Sequence, residues 1–173
     1  MSRQSEKELR LREAMAPLLN REGFDEWMQG ILGNRERVLG EFEIYKTITE
    51  ERVLSVAIAE MGLFDDIVAI YEKAHPGWEE SLEKPRADGP PAEARFNAAM
   101  ASLLGDVAFQ SLMAFFRAEE KRERANMRTS KITSNALASI GRHGAIRAIL
   151  ASYRSHQAPV ANQLVATDGG AEG

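Results

Sequence analysis

Apolar residues recur at steps of three and four along nearly the whole of this chain, and that periodicity leaves it little to fold into except helices. Val38, Phe42 and Tyr45 follow one another at four and three, with Leu39 beside them, and Ile146, Ile149, Leu150 and Tyr153 make a clean stripe further on. Sustained two-residue alternation is missing, and no Asn-Gly or Asp-Gly turn separates two β-branched runs. The pattern predicts an all-α fold, an irregular bundle of about seven helices.

Glycine and proline punctuate the pattern. Pro17 is expected to shorten the first helix, and Gly23 to end it. A short second helix is expected from Phe24 to Gly33, with Asn34 capping a third. The run from Val53 to Ala74 is apolar on most sides, so it is expected in the core or at a subunit interface, divided in two at Gly62. Four of the six prolines (Pro76, Pro85, Pro90, Pro91) fall in residues 76–91, which read as a mobile loop pinned to the body by Trp78 and Leu82. One long central helix is expected from Ala92 to Met127, about 54 Å if unbroken, with Gly105 as a point of bending. Two shorter helices, Ser130 to Ile140 and Ala145 to His156, are expected on either side of a Gly141–Gly144 turn. Residues 1–156 then form a single helical domain, divisible into 1–75 and 92–156 around the loop, and 157–173 form a flexible C-terminal tail.

The charge pattern adds a functional clue. Arg117, Lys121, Arg124, Arg128 and Lys131 are spaced four, three, four and three, which lays five cations along one helix face of about 21 Å. Residues 1–116 hold 13 Lys and Arg against 21 Asp and Glu, a balance of −8, whereas residues 117–156 hold nine against three, a balance of +6. Such separation brings either nucleic acid to the basic part, or the two parts to each other within the fold or across a homo-oligomer.

Catalytic and metal chemistry find little footing. The absence of cysteine excludes disulfides, thiolate catalysis and cysteine metal sites. Glu72 and His75 form one Glu-x-x-His step, but His143 and His156 follow Ile140 and Tyr153 at that spacing, so the second step of a di-iron carboxylate bundle is missing and no metal is expected. Gly-x-Ser-x-Gly does not occur, and Gly30-Ile31-Leu32-Gly33 lacks the lysine of a P-loop. Ile140-Gly141-Arg142-His143-Gly144 resembles the Gly-x-x-Gly loop of KH domains over five residues only, with Arg147 where an apolar residue belongs. A helix-turn-helix over Ser130 to Arg154 would want a small residue four before Gly141, where Leu137 stands.

These observations lead to a non-enzymatic helical interaction or assembly protein, without cofactor, that binds a protein partner or itself. Phe24, Trp27, Met28 and Ile31, with Leu32, form a compact apolar stretch that reads either as core or as a docking helix. The alternative is a nucleic-acid accessory protein that contacts phosphates through Arg117, Lys121, Arg124, Arg128 and Lys131, with Arg142, Arg147 and Arg154 as additions. A small helical enzyme with an unseen site is the third reading. The N-terminus lacks the apolar run of a signal peptide, and Glu60, Asp65 and Asp66 interrupt the longest apolar stretch, so the expectation is a cytoplasmic protein with no membrane contact.

Overall fold

A computed structural model describes the backbone of residues 3–48, 51–82, 91–129 and 134–168, and the side chains of 6–43, 51–82, 91–128 and 135–157. Among these residues the fold is all-α. The helices are α1 (Arg3–Met15), α2 (Phe24–Ile48), α3 (Glu51–Ala74), α4 (Trp78–Leu82), α5 (Ala92–Leu104), α6 (Val107–Thr129) and α7 (Ser134–Asp168), with a 3-10 turn at Ala16–Leu18. Pro17 falls in that turn, where its missing N–H ends α1. Lys131 and residues 83–90 of the expected loop lie outside the described residues.

Helix α3 packs most extensively against α7 and α2, and α6 against α7; α1 and α5 flank this set. The core between them is aromatic. Phe24 stacks on Trp27 at 5.1 Å, and Trp27 meets the edge of Phe109 at 5.6 Å. Tyr71 reaches Phe24 at 5.8 Å and Trp78 at 4.9 Å, while Tyr153 lies 6.0 Å from Phe109. Five helices thus meet in one set of rings, whose large apolar areas make them the strongest contributors to burial. Phe24, Trp27, Met28 and Ile31 belong to this core, at most 3% exposed. They therefore present no docking face. Trp78 and Leu82 pack against the same core, as expected, but they do so as the ends of helix α4, where a mobile loop was expected.

Several boundaries differ from the sequence reading. Helix α2 runs straight through Gly33, because the tertiary packing of its buried face outweighs a glycine penalty of about 1 kcal/mol. Asn34 does not cap; its Nδ2 donates back to the Gly30 carbonyl at 3.0 Å. Helix α3 likewise passes through Gly62 unbroken.

The long central helix does not form: α5 and α6 are bent by 91° at Gly105–Asp106. Asp106 causes the break by capping α6, its Oδ1 accepting from the N–H of Ala108 at 2.7 Å and of Phe109 at 3.2 Å. Arg21 Nε lies 3.4 Å from the other carboxylate oxygen and holds the cap in place. In the opposite sense, the expected Gly141–Gly144 turn is continuous helix, and α7 carries helical backbone past Gln157 to Asp168. Gly141 is buried where α7 crosses α3, so its lack of a side chain serves close packing rather than a turn.

The Glu-x-x-His step is absorbed in local structure. Glu72 accepts from the Gly77 and Glu79 backbone N–H groups and so caps α4, while Gly77 adopts φ +81°, a conformation that suits glycine. His75 Nε2 donates to the Leu19 carbonyl at 2.7 Å. No single helix among the described residues is long and apolar enough to cross a membrane.

Tyr71 provides a first test. Burial, with Asp25 and Glu26 nearby, pushes its hydroxyl up to about 12. An alkaline titration followed by tyrosinate absorbance should show one of the three tyrosines ionising well after ordinary tyrosine. Its replacement by Phe should remove that late step.

Candidate functional site on helix α6

Helix α6 starts with an apolar face and ends with a charged one, on the same side. Phe109, Leu112, Met113 and Phe116 are fully buried or nearly so. Continuing that arc by three and seven residues from Phe116 reaches Glu119 and Glu123. Both point inward, with side chains 8% and 2% exposed. A buried carboxylate must be paired and hydrogen-bonded to persist. Helix α1 supplies two partners, Lys7 with its Nζ 2.5 Å from Glu123 and Arg10 3.6 Å from Glu119, and within α6 Asn126 donates to Glu123 at 3.4 Å. Arg122 also bonds Glu119. The sequence reading missed this cluster. The signal was available: the two acids continue the apolar arc of α6, where a solvated acid has no reason to be.

The opposite side of α6 carries the predicted cations. Arg117, Lys121, Arg124 and Arg128 are all exposed. Arg124 pairs with Glu120 at 3.0 Å and remains 54% exposed. Arg117 sets its guanidinium over the Tyr153 ring, 5.4 Å from the centroid, a cation–π contact that fixes its side chain against α7. Among the described residues, Lys121 and Arg128 make no ion pair. His143 of α7 lies 3.7 Å from Glu120, so the row 143, 147, 150, 154 of α7 borders this side of α6. Arg147 and Arg154 are exposed on that row. The structure thus brings Arg117, Lys121, Arg124 and Arg128 together, with Arg147 at the border.

Arg142 departs from that set and is a correction. Its side chain is 19% exposed and turned inward, with Nε 3.7 Å from Glu123 and Nη1 3.9 Å from Asp66. The helical path through 141–144 causes this, since residue 142 then faces α3 and α6 rather than the rim of a turn.

Two opposed titrations follow. Burial pushes the Glu123 carboxyl up, but hydrogen bonds from Lys7, Ser139 and Asn126, together with the Lys7 charge, hold it below its ordinary value. Asp66 is raised by burial, which Arg142 only partly offsets and which Glu8 and Asp65 reinforce. Folded Glu123 binds its proton less tightly than the unfolded chain does. Its stabilisation is therefore present above the ordinary carboxylate range and lost as pH falls through the lowered value. Asp66 has the reverse sign: folded Asp66 is the better proton acceptor, so protonation there relieves a cost as pH falls. Denaturant midpoints measured from pH 7 down to pH 3 should show Glu123→Gln flattening the acid limb and Asp66→Asn steepening it. A Glu123→Gln limb parallel to wild type would contradict the assignment.

The chain matches no family model, and no curated protein or solved structure is significantly similar to it.

Proposed function

We propose that this protein is a non-enzymatic helical interaction module that engages an acidic protein partner, or an acidic surface of a second copy, through the outward face of α6. One observation carries the reading: charge is sorted across this helix. Two of the three acids in this stretch, Glu119 and Glu123, face the interior, and the third, Glu120, pairs with Arg124, which leaves Arg117, Lys121 and Arg128 facing solvent without a carboxylate among the described residues. Arg147 extends the face onto α7. Arginine suits this role, because its planar fork meets carboxylates in pairs. Each exposed pair contributes only about 0–1 kcal/mol, so the face orients and accelerates the encounter more than it holds the complex. The −8 balance of residues 1–116 offers a complementary surface on a second copy.

A nucleic-acid partner is the second reading, favoured by the row itself: cations from Arg117 to Arg128 recur once per helical turn over about 16 Å. Four phosphate contacts on duplex DNA would give a log–log salt slope of about −3 to −4.

The experiment compares the wild type with Arg117→Glu/Lys121→Glu/Arg128→Glu. This variant should still fold, since Lys121 and Arg128 are exposed without an ion pair among the described residues and the Arg117–Tyr153 contact contributes only about 0.5–1 kcal/mol. Protein partners recovered from native cells, self-association by light scattering and anisotropy with duplex DNA and RNA are read in parallel. Loss of a protein partner or of self-association in the variant supports the main reading. Salt-sensitive nucleic-acid binding that the variant loses supports the second. Partners, self-association and nucleic-acid binding all unchanged would end both.

A further inference from the structure

The inward side of α6 opens on a cleft of about 530 Å³. Its size falls within the range of small-ligand sites, roughly 300–1,000 Å³. Helix α3 lines it with Ile58, Ala59, Gly62 and Asp66, and α7 with Ala138 and Arg142. Gly62 keeps it open: a Cβ there would meet nothing within 4 Å.

The charged groups at the base are unequally occupied. Glu123 is taken up by Lys7, Asn126 and Ser139. Arg142 is not. Its nearest carboxylate oxygens, at 3.7 Å on Glu123 and 3.9 Å on Asp66, lie beyond hydrogen-bond length. Asp66 in turn has only that distant guanidinium as a partner among the described residues. A guanidinium with five donors and a carboxylate with several acceptor sites therefore stand side by side in the cleft, each with capacity to spare. A plain anion on Arg142 would be repelled by Asp66, and a plain cation on Asp66 by Arg142. A ligand that carries an acceptor and a donor of opposite charge on neighbouring atoms satisfies both groups, and the apolar wall leaves room for a hydrocarbon substituent.

We propose that this cleft binds a small zwitterion of the α-amino-acid class, its carboxylate on Arg142, its ammonium on Asp66 and an apolar side chain along Ile58, Ala59 and Ala138. The site is separate from the outward cationic face and stands or falls independently of it.

Titration calorimetry on the full chain tests this with the free L-amino acids, each up to about 10 mM, where a site of even millimolar affinity is largely filled. Binding is expected for one or more apolar members. Isoamylamine and isocaproate, which are leucine without its carboxylate and without its ammonium, should bind weaker than leucine by about tenfold or more. Arg142→Met and Asp66→Asn should each weaken the amino acid by a similar factor. Gly62→Leu guards against a trivial loss of fold: it projects into open space, should keep a cooperative thermal transition, and should abolish binding by filling the cleft. No heat with any amino acid would overturn the proposal. So would equal binding of either single-charge analogue, or unchanged binding in folded Gly62→Leu.

Discussion

Gly141→Ala should be among the most damaging single-methyl additions to this protein. Alanine normally stabilises a helix interior by about 1 kcal/mol relative to glycine, and residue 141 is well inside α7. Packing reverses the sign. A Cβ at 141 would overlap the Val56 carbonyl oxygen and stand 2.8 Å from both the Ala59 Cβ and the Glu60 amide nitrogen. Two of these three neighbours are backbone, so no rotamer change relieves the overlap; α3 and α7 must separate. These two helices share the most extensive packing among the described residues, and overpacking a well-packed core costs about 1–3 kcal/mol. We expect a net loss of up to about 2 kcal/mol, read as a lowered denaturant midpoint, with reduced α-helical signal if the contact opens. Gly62→Ala is the matched control. It sits in α3, has open space around its Cβ, and should stabilise by about 0.5–1 kcal/mol. Equal effects at the two glycines would refute the packing account.

The same glycine shows where a sequence stops being legible. The three- and four-residue periodicity of Ile146, Ile149, Leu150 and Tyr153 is local, and it correctly predicts a helix with one buried stripe. Whether Gly141 ends a helix or lets a neighbour approach depends on what crosses it, and that neighbour, α3, is some eighty residues away in the chain. Gly33 and Gly62 read as boundaries for a different reason: no neighbour crowds either position, and the packed apolar faces of α2 and α3 carry the helix through the glycine. Asp106 shows the opposite case: the periodicity carries one helix from Ala92 to Met127 through this position, whereas Asp106 caps a new helix, and only the bend at Gly105 reveals the difference. The cations from Arg117 to Arg128 were legible because a solvated face needs no partner to define it. Arg142 was not, because its inward turn depends on Asp66 and Glu123 from two other helices. Glu119 and Glu123 lay between these cases: their position on the arc was visible in the sequence, but Lys7 and Arg10, which make their burial tolerable, come from the far end of the chain.

Glu123→Ala is expected to cost about 3 kcal/mol, the range found when one member of a buried ion pair is removed. Three groups lose their acceptor together: Lys7 Nζ, the Asn126 amide and the Ser139 hydroxyl. Ser139 is itself buried and has least access to water. Lys7, 23% exposed, can recover part of its hydration by swinging outward, which would loosen α1 from α6. The loss therefore reports mainly the stranding of partners rather than the net worth of the pair. A double replacement separates these quantities. Lys7→Met/Glu123→Met removes both charges and refills the space with apolar volume, which in buried pairs is often neutral or stabilising. We expect it to recover the part of the loss that comes from stranding Lys7, with Asn126 and Ser139 still lacking their acceptor, and to leave α1 docked, with Arg142 retaining Asp66 as its counter-charge. Proteolysis near the N-terminus would reveal the alternative. If α1 becomes cleavable in the double variant while the rest stays folded, the Lys7–Glu123 pair holds α1 in place by itself, and the apolar contacts of Leu11 and Met15 are insufficient. If α1 stays protected in the double variant and is lost only in Glu123→Ala, those two side chains hold the helix, and the charges serve to fix its register against α6.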